Sequence, residues 1–380
     1  GEVQVIGDGY SDYVMREAGI ADKFFAYTEN VHREKAANNA DYVTPSLDEF
    51  LFVNKLPRNI SYPKNRIKVL LLENVHTAAF DNLSEDGFSV ELIKHSLPEE
   101  ELIEKIKGVH VLGIRSKTQV TKAVLDAADK LLVVGAFCIG TTQIDLETAK
   151  KKGVVAFNAP YSNTRSVVEL AIGEIIMLMR SVFDRSREIH EGQWQKTAAG
   201  SREVRGKNLG IVGYGNIGKQ LSVLAEAMGM RVYYYDVDDK LALGNAVKCN
   251  SLEDLLSVSD VVTLHIDDNK ANKNFIGERE LNQMKKGAML INLSRGFVVD
   301  IDALAESLKS GQVGGAAIDV YPDEPRSNGD FKTKLQGFPN VILTPHVGGS
   351  TEEAQRDIAD FVPNKIMDYI NSGNTVDAVN

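Results

Sequence analysis

Leu209-Gly210-Ile211-Val212-Gly213-Tyr214-Gly215-Asn216-Ile217-Gly218 reads as a buried apolar strand running into G-x-G-x-x-G. A helix follows from about Lys219 to Gly229, then a second apolar run, Arg231–Tyr235, that stops at Asp236. This is a βαβ unit with an acidic residue at the end of its second strand. Gly213 permits the tight turn, Gly215 lets the backbone approach a pyrophosphate, and Gly218 lets helix and strand pack closely. Asn216 and Ile217 lie beside the helix N-terminus, where free N–H groups and the positive end of the dipole suit phosphates. The spacing predicts a dinucleotide site.

Asp236 selects among dinucleotides. A carboxylate there accepts hydrogen bonds from the adenosine ribose hydroxyls and repels a 2′-phosphate. Val237-Asp238-Asp239 adds two acidic residues and no arginine, so NAD is expected over NADP. Asp238 and Asp239 themselves read as a solvated turn.

Composition narrows the remaining classes. With 380 residues the chain is long enough for two or more domains, and its net charge of −10 offers nothing to nucleic acid or an anionic membrane. No apolar run approaches the roughly 20 residues of a bilayer span, and no leader pattern opens the sequence. A cytoplasmic enzyme acting on a small molecule is expected. Cys138 and Cys249 are too few for a disulfide framework and lack metal-ligand spacing. No metal site is expected.

Three segments follow from the pattern. Residues 1–60 end in a polar stretch with Pro57, Asn59, Ser61, Pro63 and Asn65 that reads as a linker. A fully apolar strand then starts at Ile67 and runs to Leu72, and strands and helices alternate as far as Gly135. One long helix from Ser166 to His190 is predicted to lead into the dinucleotide unit. The whole reads as α/β, doubly wound.

In the second half, chemically able residues stand just past apolar strands. Asn292-Leu293-Ser294-Arg295-Gly296 follows one strand, Asp319-Val320-Tyr321-Pro322-Asp323-Glu324-Pro325 another, and Thr344-Pro345-His346-Val347-Gly348-Gly349-Ser350 a third. Ligands of open α/β sheets bind beyond those carboxyl ends. Arg295 can grip a carboxylate through two parallel hydrogen bonds. His346 can exchange a proton with an alkoxide, and Glu324 can orient the imidazole and raise its pKa. The set suits redox exchange between a 2-hydroxy and a 2-keto acid. Taken singly, the three also fit a turn cap, a solvated loop acid and a satisfied loop histidine.

These motifs in this order resemble the NAD-dependent D-2-hydroxyacid dehydrogenases, over roughly residues 66 to 380. Supporting stretches are Gly113–Thr118, Phe137–Thr141 and Phe157–Ser166. Within the family the chain most resembles members that act on a phosphorylated acid at the head of serine synthesis. The resemblance implies Arg295, Glu324 and His346 as the catalytic set. It implies a Rossmann NAD-binding domain, residues 163–349, inserted in a discontinuous flavodoxin-like substrate domain, residues 66–162 and 350–380. It places Arg115, Ser116 and Lys117 at the carboxylate and phosphate end of the substrate. Cys138, Ile139 and Gly140 would form a backbone loop near it, and Asn163 a contact at the hinge. Ser294, Gly348 and Gly349 would contact the cofactor, Asp319 would lie near the nicotinamide carboxamide, and His265 with Ile266 beside the adenine-side ribose. A strand-end packing role for His265 stays equally open.

Two further expectations come from the same source. Trp194, the only tryptophan, lies in a region that forms the dimer arm of the family, so a homodimer or homotetramer is expected. The alternative is a tryptophan that covers its own domain. The chain also ends where many relatives continue into a small serine-binding regulatory domain, so feedback by serine is not expected of it. Residues 1–60 resemble instead the end of a haloacid-dehalogenase-type phosphatase, in Ile6–Asp12 and Ala40–Leu51. Asp8 and Asp12 match positions that help hold Mg²⁺ there, but the aspartyl nucleophile and lysine motifs are missing, so no phosphatase activity is expected. Two other functions fit the same fold: a dehydrogenase of an unphosphorylated hydroxy acid, and an NAD-sensing, corepressor-like binding protein. The complete Arg, Glu, His set argues against the second.

Overall fold

A computed structural model describes residues 2–54, 63–325 and 328–380. Pro57, Asn59 and Ser61 of the expected linker lie outside them. The chain divides into two units, Gly1–Ala159 with Ala359–Asn380, and Pro160–Ile358.

The first unit holds two sheets. Near the N-terminus, strands β1 (Gln4–Gly7), β2 (Lys23–Tyr27) and β3 (Tyr42–Thr44) form a parallel sheet in that order, with a small core of Phe24, Ala26 and Ala36. Asp12 here accepts the Gly9 N–H at the start of a helix, and Asp8 pairs with Arg33 at 3.6 Å. The larger sheet comprises β4 (Lys68–Leu71), β5 (Ser89–Leu92), β6 (Val111–Ile114), β7 (Val133–Ala136) and β8 (Val155–Phe157). All are parallel, in the order β5-β4-β6-β7-β8. This is the flavodoxin-like doubly wound order, which reverses between β4 and β6. The C-terminal segment belongs to this unit. A Cβ on Gly135 would stand 2.8 Å from Val362, so glycine in β7 admits the helix Glu352–Ser372 against the sheet. Asn380 fastens the last turn to β8, accepting the Ala156 N–H and donating to Val154 O.

The second unit is a parallel sheet of β9 (Asn208–Val212), β10 (Arg231–Tyr235), β11 (Val247–Lys248), β12 (Val261–Leu264), β13 (Ala288–Asn292), β14 (Val313–Ile318) and β15 (Val341–Leu343). Its order, β11-β10-β9-β12-β13-β14-β15, is the Rossmann order with one strand added. The strands are apolar at successive positions because both faces are covered. Ile211 packs into the core on one face and Val212 into the core on the other.

Two helices differ from the sequence pattern. The glycine-motif helix spans Asn216–Ala227 and so begins before Lys219. The expected helix from Ser166 to His190 is two helices, Thr164–Arg180 and Val182–His190. Ser181 separates them in a left-handed conformation, φ 48°, with its N–H turned back to Leu178 O. Val167, Val168, Ala171, Ile175, Leu178 and Met179 bury one face of the first helix, whereas no residue of the second is buried.

Candidate active site

The glycine loop leaves β9 where the strand order of the second unit reverses, between β9 and β12. Gly213 has φ 92°, and a Cβ on it would overlap the His265 carbonyl at the end of β12. A Cβ on Gly218 would overlap the Gly213 carbonyl, whereas one on Gly215 would meet nothing within 4 Å. Two glycines therefore close the turn and the third leaves open space over the helix N-terminus. The unpaired first-turn amides of a helix point into such a space, a cradle that fits a pyrophosphate. Asp236 at the end of β10 is fixed by the N–H groups of Tyr214 (2.7 Å) and Asp238 (2.9 Å), one on each oxygen. Each oxygen keeps a second lone pair for a ribose hydroxyl. Asp238 and Asp239 pair with Lys240 and Lys248, both at 2.7 Å, as surface turn residues do.

His265 turns its ring into the protein. Thr263 Oγ1 lies 2.9 Å from its Nε2, its Nδ1 is buried with no partner among the described residues, and burial pushes its pKa down to about 4. The packing reading describes its side chain, while its carbonyl and Ile266 border the glycine turn.

Arg295, Glu324 and His346 come together in this unit. Gly296 allows it, because a Cβ there would overlap the Tyr321–Pro322 backbone, so only glycine lets the loop after β13 lie against the loop after β14. Asn292 holds the first loop from both ends: Oδ1 accepts the Ser294 N–H and hydroxyl, and Nδ2 donates to Arg295 O. Arg295 Nη1 donates to Ser294 O at 2.8 Å, and its Nε stands 3.4 Å from Asp268. Glu324 Oε1 accepts the Tyr321 N–H (3.1 Å), and Oε2 lies 2.7 Å from His346 Nδ1.

The electrostatics follow from this pairing. Glu324 raises the His346 pKa above its ordinary value against partial desolvation, with Asp319 assisting and Arg295 opposing. Burial works to raise the Glu324 carboxyl, but the bonds from His346 and Tyr321 and the charge of Arg295 leave it below the usual carboxylate value.

Asp319 supports the histidine loop from below. It is buried and accepts the Thr344 hydroxyl (2.6 Å) and the N–H groups of Val347 and Gly348 (both 2.8 Å). His346 has a left-handed backbone, φ 54°, and its own N–H donates to Asp319 O. A Cβ on Gly348 would lie 2.9 Å from Asp319 Oδ2, and one on Gly349 would overlap the Asn163 amide. Asn163 Oδ1 is buried with no partner among the described residues. Glu174, in the middle of the helix Thr164–Arg180, is fully buried, and among the described residues neither of its oxygens has a hydrogen-bond partner. Burial, and secondarily the charge of Asp319, pushes its pKa up to about 8.

The remaining expected residues lie in the first unit. Arg115 is half-buried after β6, and Ser116 and Lys117 are exposed. Cys138 Sγ lies 3.2 Å from Gly140 O and 3.3 Å from Gln143 Nε2, and Ile139 O accepts the Asn158 amide. The sequence reading missed the supports: Asn292, Tyr321, Thr344, Glu174, Glu73 and Gln143. A polar residue closing or following an apolar strand was the available signal for the first three.

Residues 172–348 match the model of the D-isomer specific 2-hydroxyacid dehydrogenase, NAD binding domain. A D-3-phosphoglycerate dehydrogenase of Dictyostelium discoideum is 56% identical over 321 residues, 84% of this chain and 79% of its own length. That of Escherichia coli K12 is 51% identical over 323 residues, with the same shares. Among solved structures, the D-lactate dehydrogenase of Aquifex aeolicus complexed with NAD and lactic acid superposes with a TM-score of 0.68 at 26% identity, covering 80% of this chain and 95% of that one. A glycine cradle that fits NAD and relatives this close over most of their length lead to one conclusion: the chain belongs to the D-isomer specific 2-hydroxyacid dehydrogenase family, among its D-3-phosphoglycerate dehydrogenases.

Proposed function

We propose that the chain oxidises 3-phospho-D-glycerate to 3-phosphohydroxypyruvate with NAD, and catalyses the reverse, as an entry step to serine. The observation that carries this reading is the 2.7 Å pair of His346 and Glu324 within reach of the Arg295 charge. When bound, NAD would supply the hydride acceptor for C2 of the hydroxy acid. Gly213, Gly215, Asn216, Ile217, Gly218, Asp236, Ser294, Gly348 and Gly349 would hold it, with Asp319 near its nicotinamide carboxamide. Because Nδ1 of His346 is tied to Glu324, Nε2 is left to take the proton of the C2 hydroxyl. In reduction the same nitrogen returns that proton to the alkoxide. The imidazolium formed on oxidation is stabilised by the Glu324 carboxylate, which keeps its own charge. Arg295 directs its remaining N–H donors at the substrate carboxylate. Arg115 and Lys117 supply cations for the phosphate, with Ser116, the Cys138–Gly140 loop and Asn163 completing the substrate contacts.

In this reading residues 163–349 bind NAD, residues 66–162 and 350–380 bind the acid, and residues 1–60 are the end of a phosphatase domain without chemistry of its own. The chain works in the cytoplasm as a homodimer or homotetramer. Supporting this, Trp194 is 79% exposed and Phe183 and Ile189 are also exposed, an apolar set suited to an interface. Among the described residues no helix is long and apolar enough to cross a membrane. Sedimentation equilibrium at micromolar concentration tests the assembly, and a monomer would overturn it. NADH oxidation with phosphohydroxypyruvate, hydroxypyruvate, pyruvate and 2-ketoglutarate tests the substrate. We expect kcat/KM for the phosphorylated acid to lead by at least about tenfold, the scale of one charge-assisted hydrogen bond. Parity with hydroxypyruvate would reassign the chain to unphosphorylated acids.

A further inference from the structure

The larger sheet of the first unit has its own reversal of order, between β4 and β6. A ligand crevice of an open α/β sheet forms where two loops part at such a point. Here the two loops are Leu72-Glu73-Asn74 and Arg115-Ser116-Lys117-Thr118, and they are joined by one side chain. Glu73 is buried, 7% exposed, and its carboxylate accepts the N–H groups of Arg115 (3.2 Å), Lys117 (3.0 Å) and Thr118 (2.7 Å). Glu73 and Asn74 both adopt left-handed backbone, φ 63° and 51°. L-residues keep that conformation only where their surroundings over-determine it, and such residues cluster at functional sites. From the other side Gln143 Nε2 donates to Arg115 O (2.8 Å) and Gly140 O (3.1 Å), tying the same loop to the one after β7.

Three backbone N–H groups converging on one point form a nest that suits an anion. In this chain an internal carboxylate already fills it. A substrate phosphate therefore cannot use these three amides, which leaves Arg115 and Lys117 as the cations of the loop, their spacing set by the backbone that Glu73 holds.

We infer that Glu73, with Gln143 opposite it, is the positioning residue that fixes the loop Arg115–Thr118 in the geometry needed to grip the substrate's phosphate. The inference rests on the reading that Arg115 and Lys117 bind that phosphate. Glu73→Gln keeps the size of the side chain but leaves one acceptor oxygen for three donors.

The test compares KM and kcat for phosphohydroxypyruvate and hydroxypyruvate in the full chain, alongside NADH affinity by fluorescence and a thermal melt. Glu73→Gln should raise KM for the phosphorylated acid about tenfold and for hydroxypyruvate less than about twofold, as expected for a weakened charge-assisted contact. The NADH affinity and kcat should hold. If Glu73→Gln does not fold, Gln143→Leu, which frees the Arg115 carbonyl, must give the same split. Equal KM increases for both acids, a loss confined to kcat, or no change would overturn the inference. Arg115→Ala separates the two layers. If it shows the split and the Glu73 and Gln143 variants do not, positioning fails while the phosphate reading stands. If Arg115→Ala shows none, the phosphate reading falls and takes the inference with it.

Discussion

His346 is held at two places, its ring by Glu324 and its backbone by Asp319, and the second hold keeps φ at 54°. A non-glycine residue there costs of order 1–3 kcal/mol and persists only when its neighbours enforce it. The three hydrogen bonds of Asp319 to Thr344, Val347 and Gly348 do so. The Glu324 contact has a consequence in pH. Glu324 raises the His346 pKa, so the acid form needed for keto-acid reduction persists to higher pH and is lost as pH rises through the folded value. In Glu324→Gln that alkaline limb should move to lower pH, with kcat at neutral pH reduced at least about tenfold. An unmoved limb would separate Glu324 from the histidine's titration. Arg295, Glu324 and His346 were visible in the sequence because each is a polar residue just past an apolar strand. Asn292 and Tyr321 were not assigned roles, because they act on backbone atoms of loops, and one-dimensional order does not show which loops meet.

At the scale of elements, the turn from β9 into the helix Asn216–Ala227 is set by backbone crowding. A Cβ on Gly218 would overlap the Gly213 carbonyl, a backbone atom that cannot swing aside as a side chain would. Gly218→Ala should therefore displace the turn and weaken NADH binding at least about tenfold, with a stability loss of about 1–3 kcal/mol. Unchanged NADH affinity by fluorescence titration would show that the turn tolerates the methyl group. The βαβ unit was legible because glycine spacing and strand periodicity agree over a short range. The break at Ser181 was not, since Val182, Phe183 and Ile189 continue an apolar pattern that looks like helix face. The first helix ends at the left-handed Ser181, and among the described residues the helix beyond it buries none of its side chains.

Over the whole molecule, the fold class is legible from α/β alternation, because strands buried on both faces read as unbroken apolar runs. Strand order was beyond the pattern alone, since it depends on which faces the helices cover; the family resemblance supplied it. The short strand β11 went unread because two exposed residues carry no periodicity. Buried polar groups were equally hidden, and one of them bears on the molecule's proton balance. Glu174 has a folded pKa of about 8 against an ordinary 4.5. Between those values the unfolded chain carries the carboxylate and the folded chain the neutral acid, so folding takes up a proton. Stability should then fall as pH rises across that window, by at most about 1.4 kcal/mol per unit from this one group, and level off on either side. Glu174→Gln removes the group, so its melting temperature should drop less than the parent's between pH 5 and pH 8. Calorimetry in buffers of different ionisation enthalpy should find the proton uptake near pH 6.5 in the parent and lose it in the variant. Identical uptake in both would place the linked proton elsewhere. A carboxyl buried without a partner thus makes a chain with a net charge of −10 more tolerant of mild acid than of mild base.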